Sequence, residues 1–283
     1  MSRVLELFGR STQSAPEGGW SEAVKRQWCP YLGSKCIKVR KSQPDICIGT
    51  CTVCYGASND DLVICPHRLL QRSQVFTDCL HLLTLHEPGN ELHVVRELSL
   101  PGGSVDHCLA SARGGKVVDF VGVELQTLDT TGTVWPERQR FLQSHGLPVD
   151  ATDAESAKGF GMNWKMNAKT ILVQLHHKIG SFSHVGKHLV LVTQDRLLAY
   201  MTSQFSFEHV KGPYVGDPMH FHAYALARDG ESFRLELTER RSTDEDGVSK
   251  CLGLMASCNV ELHDILAQLE AKITPNTLVR LGP

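Results

Sequence analysis

KVVDFVGVELQT, residues 116–127, is the segment on which the fold turns. Its β-branched and apolar run has the composition of a buried strand. Side chains alternate along a strand, so Gly122, Glu124 and Gln126 share one side and Val121, Val123 and Leu125 the other. A Glu-x-Gln pair on an otherwise apolar strand is costly to bury without a task. A carboxylate beside an amide suits a cation and a phosphate. The plainer alternative is a polar strand end near solvent.

A metal site that hydrolyses a phosphodiester needs a further carboxylate, and parity chooses between two upstream. Asp119 falls on the face opposite Glu124 if the strand is regular, whereas Asp106 precedes a Gly-Gly turn and lies on a neighbouring strand beside Glu124. Asp106 is therefore the expected partner.

HLVLVT (188–193) reads as a second central strand. The segment 162–179 sets Trp164, Ala168, Ile171, Leu172, Leu175 and Ile179 on one helical face, with Lys165 and Lys169 on a different one. HFHAYALARDGESFRLELTER (220–240) reads as two strands about an Asp-Gly turn, and VELHDILAQLEAKI (260–273) as a C-terminal helix. The expected fold class is α/β, a mixed sheet flanked by helices, with a small N-terminal cysteine module. The expected division is 1–75 for the arm and module and 76–283 for the catalytic domain.

The module rests on six of the ten cysteines, Cys29, Cys36, Cys47, Cys51, Cys54 and Cys65. The other four, Cys79, Cys108, Cys251 and Cys258, are scattered through segments that look like core. The spacing Cys29-x6-Cys36-x10-Cys47-x17-Cys65, with prolines after the first and last, suits one tetrahedral metal ion, zinc or a single iron. Metal binding would then stabilise a segment with few apolar residues of its own. A competing pattern is CxxxCxxC at Cys47, Cys51 and Cys54, the cluster motif of radical S-adenosylmethionine enzymes. The absence of repeated strand-helix units counts against the barrel such enzymes need.

Length and composition exclude other classes. With 283 residues, 41% hydrophobic and 21% charged, the chain has ample core for a globular fold. No apolar run reaches about 18 residues, and the first residues lack a leader pattern, so a cytoplasmic protein without a membrane partner is expected. The net charge of −2 gives no global attraction to nucleic acid. Between Lys25 and Lys41, however, Lys25, Arg26, Lys35, Lys38, Arg40 and Lys41 have no acidic neighbour, and they overlap the cysteine cluster.

CPYLGSKC with ICIGT and VICPHRLL, and VDHCLA with VGVELQTLDTTG, together resemble the NotI family of type II restriction endonucleases, within the PD-(D/E)xK nuclease superfamily. The resemblance is close over roughly 25–130 and looser beyond. It implies a restriction-endonuclease-like sheet, Cys29, Cys36, Cys47 and Cys65 as ligands of one structural Fe or Zn ion, and Cys51 and Cys54 as bystanders. It also implies Asp106, Glu124 and Gln126 as the catalytic set, with Asp106 and Glu124 on Mg²⁺. Glutamine stands where the superfamily has lysine, a departure the NotI family shares. The implied activity is cleavage of duplex DNA at a GC-rich palindrome by a homodimer, with Arg40, Lys41, Arg68 and Arg72 as the residues expected on DNA. The alternatives are a non-catalytic DNA-binding protein stapled by zinc and the radical enzyme.

Overall fold

The computed structural model describes residues 2–254 and 262–272. Strands β1 (Val4–Leu7), β2 (Arg10–Ser11), β3 (Thr50–Tyr55) and β4 (Asp60–Val63) form an antiparallel sheet in the order β2-β1-β3-β4. The principal sheet has six strands: β5 (Glu91–Leu100), β6 (Gly103–Arg113), β7 (Lys116–Gln126), β8 (His188–Gln194), β9 (Met219–Asp229) and β10 (Ser232–Thr243). Their order is β10-β9-β8-β7-β6-β5. The β7–β8 and β8–β9 pairs are parallel and the outer pairs antiparallel, so the sheet is mixed.

Parallel neighbours need long crossovers, and helices supply them. Between β7 and β8 the chain forms α1′s successors in sequence after helix α1 (Gly19–Arg26), namely α2 (Trp135–Ser144) and α3 (Trp164–His184). Between β8 and β9 it forms α4 (Asp195–Gln204), and after β10 it forms α5 (Glu245–Cys251) and α6 (Leu262–Glu270). The expected C-terminal helix is thus present over Leu262–Glu270, while its flanks and Cys258 lie outside the described residues. The β9–β10 hairpin turns at Asp229 and Gly230, where a φ of 60° suits glycine.

The two faces of β7 and β8 are both covered, which is why their sequences are nearly continuous in apolar residues. On one face Ala168, Ile171, Leu172, Leu175, Ile179 and Phe182 of α3 pack with Leu189, Leu191 and the α4 residues Leu197, Leu198 and Met201. On the other, Val121, Val123, Leu125, Val190 and Val192 meet Leu69, Leu70, Val75, Phe76 and Leu82 from the segment before β5. Residues 1–75 build their own sheet without an independent core. Val53, Leu62 and Ile64 join the α3 side, Val63 and Leu69 join the opposite side, and Val4, Leu7 and Trp20 pack on Phe141 and Leu142 of α2. Among the described residues no helix is long and apolar enough to cross a membrane.

Candidate active site and cysteine cluster

The β6–β7 ladder runs from Arg113↔Lys116 to His107↔Val123. One step further, the Asp106 Oδ2 accepts the Leu125 N–H at 2.9 Å, so a carboxylate occupies the place of the next main-chain acceptor. On the other side of β6 the pairs Val105↔Leu98 and His107↔Arg96 bracket Asp106 and Glu97, and Glu97 has a φ of 53°. A non-glycine residue in that region is strained, and such strain gathers at functional positions. Asp106 thus sits where the sheet opens.

Glu124 lies beside it on β7, only 3% exposed, within hydrogen-bonding reach of the Asp106 carboxyl. Burial, aided by Asp106, pushes the Glu124 pKa up to about 7 against the pull of a cation. That cation is Lys178 of α3, whose Nζ donates to Glu124 Oε1 at 2.6 Å. Gln126 is half-buried at the end of the strand, and its main-chain carbonyl accepts the Thr193 hydroxyl at 2.9 Å.

Three glycines seat Lys178. A Cβ at Gly122 would lie 2.4 Å from Phe182 Cζ, so only glycine lets that ring onto β7. Two strand residues span about 6.6 Å and one helical turn of four residues about 6 Å, so contact at Gly122–Phe182 carries Lys178 over Glu124. At the β5–β6 turn, a Cβ on Gly102 would lie 2.1 Å from the His177 carbonyl oxygen and one on Gly103 3.3 Å from Lys178 Cε. The Ser181 hydroxyl fastens the same turn by donating to the Pro101 carbonyl at 2.7 Å. Lys178 is absent from the expected site. Its signal was its place in the helix: three residues after Leu175 and seven after Ile171, it falls inside the apolar stripe, whereas Lys165 and Lys169 are exposed.

Asp119 lies on the opposite face and is tied down. It accepts Lys187 Nζ at 2.6 Å and the N–H groups of Leu85 and Phe120, each at 2.8 Å. Burial works against its charge, but Lys187 and the two amides hold its pKa below the usual carboxylate value.

In the cysteine cluster, Cys29, Cys36, Cys51 and Cys65 line one small cavity with Phe8, Lys38, Gly49, Thr50 and His67. Cys29 accepts hydrogen bonds from the N–H groups of Tyr31 and Leu32, and Cys65 from those of His67 and Arg68, the same offsets after each Cys-Pro. Cys36 accepts from Lys38 and Gly49, and Cys51 from Gly9. Main-chain N–H groups aimed at sulfur favour the thiolate. For Cys65 the hydrogen bond with Cys51 lowers the pKa most, with Lys38 and the two amides assisting against burial. Cys47 is outside the cavity lining but lies against Cys36: its thiol donates to the Cys36 carbonyl at 2.8 Å, is within hydrogen-bonding reach of the Cys36 sulfur, and packs among Val4, Leu7 and Trp20. Cys51 lines the cavity and Cys47 does not. Among the described residues, no group of three or more His, Cys, Asp or Glu is drawn together tightly enough to hold a metal ion. The donor chemistry nevertheless fits one, since four thiols share a closed space with amides directed at sulfur. The CxxxCxxC grouping does not form, because Cys51 and Cys54 lie three apart on β3, on opposite faces, and Cys54 contacts Asn59.

The expected DNA-facing residues divide. Arg68 is fully buried: it pairs with Glu6 at 2.7 Å, donates to the Phe233 carbonyl at 3.0 Å and to Gln71 at 2.9 Å, and lies over the Tyr31 ring. Sealed in this way it cannot reach DNA as its charge suggests; it joins β1 to β10. Arg40 forks onto Asp153 at 2.9 and 3.0 Å and stacks on Trp135, so its guanidinium is committed internally. Lys41 and Arg72 are exposed.

No family model matches the chain, and neither does any curated protein.

Proposed function

We propose that the chain is a Mg²⁺-dependent, site-specific DNA endonuclease of the type II restriction kind, with a structural Fe or Zn ion held by Cys29, Cys36, Cys51 and Cys65. The observation that carries the reading is the meeting of the Asp106 and Glu124 carboxyls where β6 parts from β7, on the helix-covered face of a mixed sheet. Two adjacent carboxyls repel when both ionise, and a dication relieves that repulsion. Asp106 and Glu124 would hold Mg²⁺. When bound, the ion supplies Lewis-acid chemistry at the scissile phosphate. Gln126, at the rim, hydrogen-bonds without charge and orients water or a phosphate oxygen. A palindromic site calls for two such centres on a twofold axis, hence a homodimer on duplex DNA. Of Arg40, Lys41, Arg68 and Arg72, only Lys41 and Arg72 are exposed and available to the backbone or to guanine edges.

Digestion of mixed phage and genomic DNA with purified protein and Mg²⁺, followed by sequencing of the ends, tests the reading. The expected products carry 5′-phosphate and 3′-hydroxyl ends at one recurring GC-rich sequence. DNA that stays intact, yet is bound, would instead identify a non-catalytic DNA-binding protein.

A further inference from the structure

We propose that Lys178 is the catalytic lysine of this site, delivered from α3 to the position where the superfamily pattern has a strand lysine and this chain has Gln126. The inference rests on the nuclease reading. Lys178 and Glu124 are both more than nine-tenths buried and 2.6 Å apart. A lysine–carboxylate pair serves structure or chemistry, and among the described residues the Lys187–Asp119 pair offers a comparison.

The Lys187–Asp119 pair has the same 2.6 Å separation, but Asp119 is also satisfied by two main-chain N–H groups, and its charges balance. At Lys178 the balance differs. Lys178 pairs with Glu124, and Glu124 in turn meets Asp106, so a second carboxyl stands beside the ion pair, an arrangement suited to a dication. An ammonium has three donors, and the bond to Glu124 uses one of them. Glycines at 102, 103 and 122 clear the space through which α3 and the lysine stem approach, so the placement is built in from three separate positions.

In the reaction, water adds to phosphorus and the bond to the 3′ oxygen breaks. The attacking oxygen stays on the 5′-phosphate after losing its protons to solvent, and the 3′ oxygen leaves as a hydroxyl with a proton from solvent. Lys178 donates hydrogen bonds to the attacking water and to a non-bridging phosphate oxygen, where negative charge accumulates.

The test compares wild type, Lys178→Met, Lys178→Met with Gln126→Lys, and Lys187→Met as the structural control, each checked by thermal melting. Single-turnover cleavage at saturating Mg²⁺ should fall roughly 10²–10³-fold in Lys178→Met. Binding of Mn²⁺ to the same variant without DNA should tighten about tenfold, because a competing cation has gone from beside the carboxylates. Restoring a strand lysine through Gln126→Lys should recover part of the lost rate. Lys187→Met should melt earlier and keep its turnover. Lys178→Met that cuts at the wild-type rate, or binds Mn²⁺ no more tightly, overturns the inference, as does a double variant no faster than Lys178→Met. Wild type that cuts no DNA removes the nuclease reading itself and this inference with it.

Discussion

Arg68 illustrates how far a single side chain can depart from the role its charge suggests. In the sequence it is a cation close to a basic, cysteine-rich stretch; in the fold it is sealed between Glu6, Phe233 and Tyr31. No local pattern announces a partner 62 positions earlier. Removing it strands the Glu6 carboxylate in the core, so Arg68→Ala should lose about 3–5 kcal/mol of stability. Chemical denaturation measures that loss, and site preference on DNA should be unchanged in whatever protein remains folded. Asp106, Glu124 and Asp119 were separable beforehand because strand parity is a hard geometric rule, and each lies on the face parity assigned. Lys178 was not, since pairing a helix with one residue of a strand depends on contacts that periodicity does not contain.

At the level of elements, the legible pieces were those buried on one or both faces. β7, β8, the β9–β10 hairpin and α3 all carry a strong apolar pattern, and burial enforces it. β5 was missed because it is an edge strand with exposed residues along most of its length, so nothing constrains its alternation. The cysteine segment failed in a different way. Its spacing predicts that four thiols meet, but which four depends on turns, and main-chain amides are aimed at the sulfurs of Cys29, Cys36 and Cys65. The fourth thiol lining the cavity is Cys51, on a strand that faces it, whereas Cys47 packs on the Trp20 cluster and meets Cys36 from outside the lining. Metal analysis of purified variants should therefore find the ion lost from Cys51→Ser and retained in Cys47→Ser. The reverse pattern would return Cys47 to the ligand set.

For the whole molecule, acid sensitivity follows from two buried histidines on β9. Burial pushes His220 down to about 4, with His188 adding to it, and His222 down to about 3, with Arg240 and the neighbouring histidines adding. Both values lie below the unfolded value of about 6.5. The unfolded chain then binds more protons, so stability is full above about pH 6.5 and falls as pH drops toward the folded values, by up to about 1.4 kcal/mol per pH unit for each histidine. Denaturation midpoints at pH 7.5 and 5 should show this decline, and replacing both histidines by asparagine should flatten it. The catalytic claim concerns the opposite face of the sheet and meets its most direct test in a single assay. Cleavage of a defined DNA substrate with Mg²⁺ is measured for wild type, Asp106→Asn, Glu124→Ala and Asp119→Asn, beside DNA binding with Ca²⁺. Wild type and folded Asp119→Asn should cut, while Asp106→Asn and Glu124→Ala should bind with near wild-type affinity and leave the DNA whole; near wild-type cutting by either of those two would contradict the assignment.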